Sequence, residues 1–116
     1  GHAYESTLNF SKKLNHGEAV LLGIISAIKL SNKLNILSKK NYENITNHFK
    51  KLSLPNDIKK YFKNKDINKI VYFMKNDKKN TDRYINLVLL SNIGKTIYYK
   101  INKKSLKKFF NDQLNK

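Results

Sequence analysis

Ala19, Val20, Leu21, Leu22, Ile24, Ile25, Ala27, Ile28 and Leu30 follow one another with no charge before Lys29. No other stretch constrains the fold as strongly. Asn15 stands in front of the run as a helix N-cap, and Glu18, three residues on, is placed to return a hydrogen bond to the cap N–H. The reading is one long helix from that cap through Leu37. Because it is apolar on nearly every face, it is expected to be enclosed by other elements. His16 then falls in its first turn, where a rigid element would hold a polar ring at the edge of the packed interior.

The flanking segments read as cover for this helix. Ala3, Tyr4, Thr7 and Leu8 repeat at amphipathic spacing, so the chain opens on a short helix, and Asn9 to Leu14 read as a polar loop. An opening inside such an element suggests a piece of something longer. Ser38 caps a second amphipathic helix carrying Tyr42, Ile45, Phe49 and Leu52, which Leu54-Pro55 ends. A short helix over Asn56–Phe62 follows. Asp66 then caps another, with Ile67, Ile70, Val71 and Met74 inward, and Lys75 to Asp82 form a polar loop. At Tyr84 the period changes to two: Tyr84–Leu90 and Lys95–Ile101 are β-prone and joined by Ser91-Asn92-Ile93-Gly94. A last helix after Asn102 carries Leu106, Phe109, Phe110 and Leu114. The fold class is mainly α with one small β-hairpin, a single domain over residues 1–116. No βαβ alternation or glycine-rich phosphate loop occurs, so these residues hold no dinucleotide fold.

Composition narrows the functional classes. The apolar run is shorter than the roughly 18 residues that a membrane span needs. No secretory signal pattern opens the chain, and a cytoplasmic location is expected. Cysteine is absent, which excludes thiolate chemistry. The formal charge of +16 suggests nucleic acid, but lysine supplies 23 of the 24 basic residues and Arg83 is the one arginine. Bidentate recognition of bases and phosphates favours arginine. Lysine and asparagine together make 40 of the 116 residues, a bias that reads as solvated surface. A basic helical module binding nucleic acid is the competing reading, and it requires the lysines to gather on one face.

His2, His16 and His48 are the three histidines. His2 and His16 lie on adjacent elements and could converge, with Glu5 and Glu18 nearby, but their spacing matches no self-contained metal motif. Spacing alone favours the plainer reading, an early helix position for His16 and a chain end for His2. His48, beside Phe49 on a lysine-rich helix, reads as surface. Asp77-Lys78-Lys79 could clamp a phosphate or carboxylate, or be one more lysine pair. Gly17 could allow close approach to the backbone beside His16. Tyr98 and Tyr99 read as packing and edge residues.

Taken together, Gly1-His2-Ala3-Tyr4-Glu5, His16-Gly17-Glu18-Ala19-Val20, Gly23, Leu54-Pro55, Met74-x-x-Asp77-Lys78-Lys79 and Val88-Leu89-Leu90-x-x-Ile93-Gly94 resemble the C-terminal domain of the 3-dehydroquinate synthase family. The landmarks run in family order over nearly the whole chain. Sugar-phosphate cyclases of antibiotic pathways share the ancestry and are the alternative within it. The resemblance implies a two-domain lyase of the shikimate route to aromatic amino acids. An N-terminal domain holds NAD, a helical C-terminal domain faces it, and DAHP is converted to 3-dehydroquinate and phosphate in the cleft between them. Transient oxidation by NAD acidifies a C–H, phosphate leaves, the hydride returns, and the ring opens and closes as an aldol. A divalent metal, usually zinc, polarises the substrate oxygens.

Carried over by position, the resemblance makes His16 a metal ligand. It places His2 against the substrate near its phosphate as a substrate-binding and catalytic residue, with a part in proton transfer. Lys78 or Lys79 would contact the anionic substrate, and Glu5 and Glu18 would be carboxylates that orient a histidine. Two departures stand out. The family motif has an earlier histidine, also a metal ligand, ahead of the Gly-His pair on which this chain begins, and Arg83 stands where the family often has glycine. The NAD-binding domain is likewise absent from this sequence. The expectation is therefore a domain that folds, binds no tight zinc and does not catalyse alone. Its expected partners are that N-terminal domain, the sugar-phosphate substrate and, as an option the resemblance allows, a second copy in a homodimer. Neither a membrane nor a specific nucleic acid is among them.

Overall fold

The structure, a computed structural model, describes residues 2–7, 15–75 and 83–115, leaving aside the side chains of His2, Glu5 and Lys75. In chain order these form α1 (His2–Thr7), α2 (His16–Lys33), α3 (Lys39–Lys51), α4 (Ile67–Lys75), β1 (Tyr84–Asn92), β2 (Lys95–Asn102) and α5 (Lys103–Leu114). Two 3-10 turns, Ile58–Lys60 and Asn64–Asp66, lie between α3 and α4. The mainly helical class with one hairpin is as the sequence reads.

The central helix begins at its capping box but stops earlier than its apolar pattern suggests, at Lys33 rather than near Leu37. Asn35 takes a left-handed φ of 61°, a conformation asparagine tolerates better than most residues. The chain therefore turns back, and the N–H groups of Ile36 and Leu37 both donate to the Ser31 carbonyl, at 2.9 and 3.1 Å. Leu37 is buried all the same, so its apolarity serves a turn rather than a helix. A second correction concerns the surroundings of α2. Ala19, Leu22, Ile25, Ile28 and Leu30 are buried, but Val20 is 41% and Ile24 46% exposed. The helix is enclosed on one side and open on the other.

Ser38 caps α3 as expected, its Oγ accepting the Asn41 N–H at 3.2 Å. The helix ends before Leu54-Pro55: Ser53 takes a φ of 54° and the Leu54 N–H returns to the Phe49 carbonyl at 2.9 Å. Phe49 is buried and Tyr42 and Ile45 are half-buried, whereas Leu52, one residue past the helix, is 54% exposed. The helix anticipated over Asn56–Phe62 is only the turn Ile58–Lys60, started by the Asp57 carboxylate, which accepts the Lys59 N–H at 3.0 Å. Asp66 caps the turn before α4 instead of α4 itself, accepting the Lys63 N–H at 2.8 Å. Along α4, Ile67, Ile70 and Val71 are buried and Met74 is half-buried, the face the spacing indicates.

The hairpin is antiparallel, with Ile85 opposite Ile101 and Val88 opposite Tyr98. An irregularity at Ser91 leaves a turn of two residues, Ile93 and Gly94, with Gly94 at the φ of 76° that favours glycine. The connection is thus shorter than the four residues the sequence suggests. Ile85, Leu89 and Ile101 are buried on the inner face, while Asn86, Val88, Tyr98 and Lys100 face out. Buried Ser31 docks β1 on α2: its Oγ accepts the Leu90 N–H at 3.0 Å and donates to the Ala27 carbonyl at 2.6 Å. Leu106, Phe109 and Phe110 of α5 close the core. Helix α1 seats Tyr4 in it, the ring 5.1 Å from that of Phe62 and 6.4 Å from that of Phe110. Residues 8–14 and 76–82, most of the two stretches read from the sequence as polar loops, lie outside the described residues.

Candidate functional site

The N-terminus of α2 is the best-built polar feature at the positions singled out from the sequence. Asn15 has extended backbone (φ −78°, ψ 169°), and its Oδ1 accepts the Glu18 N–H at 2.8 Å. Glu18 Oε1 accepts the Asn15 N–H at 3.2 Å, completing the reciprocal box. The other carboxylate oxygen, Oε2, accepts the Tyr61 phenol at 3.1 Å, across 43 positions of sequence. Burial first, and then the Glu18 hydrogen bond and charge, push the Tyr61 phenol above its ordinary range. Both oxygens of Glu18 are thus engaged in fixing where α2 begins.

His16 is the first residue of α2 and is exposed. Four and eight residues on, Val20 and Ile24 continue the same open line, with half-buried Gly23 and Ala27 beside it. A Cβ on Gly17 would meet only Asn15 Oδ1, at 3.5 Å, an ordinary contact, so the described fold does not itself demand glycine there.

Farther along α2 lies a groove of about 710 Å³, floored by Gly23, Ser26 and Ala27 and walled by α1, α4 and β1. Among the described residues Tyr4 is its one titratable lining residue. Burial, partly offset by a hydrogen bond to Ser26, raises that phenol to about 12. Among the described residues the groove is therefore lined mostly by apolar groups and by none that exchanges protons near neutral pH.

Of the other residues singled out from sequence, His2 is the first residue of α1, and its side chain and that of Glu5 lie outside the described residues, as do Lys78 and Lys79. Helix α1 packs on α2 and on α4, the helix that leads toward the two lysines. His48 is exposed on α3, as read; Tyr98 is exposed and Tyr99 half-buried. Among the described residues no three of His, Cys, Asp and Glu come together as a metal site would require. They fit such a site only as contributors of one imidazole. Tyr61 is the residue sequence reasoning passed over. The sole hint was indirect: a capping-box carboxylate keeps a second oxygen that needs a donor.

Comparison with known proteins gives one consistent result. The 3-dehydroquinate synthase C-terminal family matches residues 1–80. The 3-dehydroquinate synthase of Pelagibacter ubique (strain HTCC1062) is 47% identical over 116 residues, covering 99% of this chain and 32% of that protein. That of Thermodesulfovibrio yellowstonii is 35% identical, over 97% of this chain and 30% of its own length. That of Clostridium tetani is 35% identical, over 99% and 29%. The chain thus spans about a third of the length of these relatives. Among solved structures, a crystal structure of 2-deoxy-scyllo-inosose synthase complexed with carbaglucose-6-phosphate, NAD+ and Co2+ superposes with a TM-score of 0.69 at 22% identity. It covers 97% of this chain and 31% of that one, and at this identity the likeness is one of fold.

Proposed function

This chain belongs to the 3-dehydroquinate synthase family, of which it carries C-terminal sequence, and from that premise we propose that it forms one wall of a cyclase active site completed by residues outside it. The complete protein would convert DAHP to 3-dehydroquinate and phosphate in the shikimate route. The observation that carries this reading is the exposed imidazole of His16, presented by a capped helix inside the family's matched region.

In this reading His16 supplies one nitrogen ligand to a divalent metal, zinc, whose remaining ligands lie elsewhere in the protein. The metal, when bound, polarises substrate oxygens, and NAD, held by an N-terminal domain, supplies the reversible oxidation. His2 binds substrate near its phosphate and moves a proton, and Lys78 or Lys79 neutralises the anionic group. Glu5 and Glu18 hold the histidines in place. The enzyme works in the cytoplasm, and the 116 residues alone do not catalyse.

A related sugar-phosphate cyclase is the second reading, supported by the fold shared with 2-deoxy-scyllo-inosose synthase. Product analysis separates the two. The decisive assay measures phosphate release from DAHP by the full-length protein with NAD and zinc. His16→Ala should reduce it to background with the far-UV circular dichroism unchanged. Full activity in that variant, or phosphate release by the 116-residue chain alone, would refute the proposal.

A further inference from the structure

The geometry points to Tyr61 as a positioning residue for His16, an inference that rests on the functional reading above. A helix begins with unpaired N–H groups, and its first turn frays unless side chains satisfy them. The capping box meets part of this need, but Asn15 and Glu18 are neighbours on one exposed turn and could swing together. Tyr61 supplies what the box lacks, an anchor from a distant segment. It follows the turn Ile58–Lys60, its N–H donates to the Ile58 carbonyl at 3.0 Å, and that turn is pinned into the core by buried Ile58 and Phe62. From this base the phenol reaches 3.1 Å to Glu18 Oε2 while Glu18 Oε1 holds the Asn15 N–H.

The chain of contacts therefore runs from the core through Tyr61 and Glu18 to the cap, and His16 lies between the cap and the clamp. A ligand or substrate-facing group tolerates only about 0.5 Å of misplacement before function falls. Supporting contacts of this kind are commonly worth about 10–100-fold in metal affinity or activity. Tyr61 touches neither substrate nor metal in this account; it acts through Glu18 on the backbone that carries His16.

The test uses the full-length protein and Tyr61→Phe, which keeps the ring and removes the hydroxyl. Hydrogen exchange over residues 15–22 should quicken, zinc affinity measured by chelator competition should fall about tenfold or more, and kcat should drop with little change in KM. The melting temperature should stay near wild type. Glu18→Gln, which keeps one acceptor, should fall between, and Lys59→Ala on the same turn should match wild type. Wild-type exchange and zinc affinity in Tyr61→Phe would overturn the inference. So would a loss of kcat that tracks a lowered melting temperature with exchange over 15–22 unchanged. His16→Ala is the control that separates the two proposals. If it retains activity and zinc, the reading of His16 falls and this inference with it; if it is inactive while Tyr61→Phe is normal, only the role of Tyr61 is wrong.

Discussion

Tyr4 and Ser26 meet hydroxyl to hydroxyl at 2.6 Å, across 22 positions of sequence, and tie α1 to the middle of α2. The bond is part-buried at the floor of the groove, and the Tyr4 ring, 4% exposed, packs between Phe62 and Phe110. Burial raises the phenol to about 12 from its ordinary 10.0, the hydrogen bond pulling slightly the other way. The folded state therefore keeps a proton that the unfolded chain gives up. The stabilisation is fully present below pH 10 and is lost as pH rises through 12.

Tyr4→Phe is expected to cost about 1 kcal/mol at neutral pH, by leaving Ser26 without this partner. Between pH 10 and 12 the wild type should lose about 2–3 kcal/mol more than the variant. Urea titrations of both proteins across that interval check the sign; parallel curves would contradict the burial of the phenol.

The two sides of α2 should answer differently to truncation. Leu22 has no exposed surface, so Leu22→Ala is expected to cost about 2–5 kcal/mol. Ile24, 46% exposed two residues on, should cost under about 1 kcal/mol when changed to alanine in this chain. Denaturant midpoints at constant slope measure both. Equal losses would mean that the open side of the helix is covered.

Zinc should not bind this chain tightly. Among the described residues no three ligating side chains converge, and His16 alone offers one nitrogen. Isothermal titration at neutral pH is expected to show no site of micromolar affinity or better. A micromolar site lost in His16→Ala would show that the remaining ligands lie within these 116 residues after all.

Much of this fold could be read from local chemistry. Asn15 with Glu18, Ser38, and Asn102 before α5 each mark a helix start because capping is decided within three or four residues. The hairpin followed from alternating apolar residues and Gly94. What escaped was of two kinds, local alternatives that the apolar pattern does not rank and contacts between distant segments. Ile36 and Leu37 prolong the apolar pattern of α2, but Asn35 and the Ser31 carbonyl bend them into a turn. Val20 and Ile24 are as apolar as Leu22 and Ile25, and composition cannot say on which side neighbours stand. Asp66 was read as the cap of the helix after it when its carboxylate reaches back to Lys63. Of the site, the cap and His16 were legible and the clamp was not, since nothing near Tyr61 announces a partner on α2.

The open line from His16 through Val20 to Ile24 has a colloidal consequence. It is a greasy flank on a molecule of charge +16, so like-charge repulsion opposes the sticking together that the flank promotes. Added salt shortens the reach of that repulsion to about 3 Å at 1 M while leaving the attraction in force. This polypeptide should stay dispersed in dilute buffer and cloud as ionic strength climbs, the reverse of a protein whose copies are joined by ion pairs.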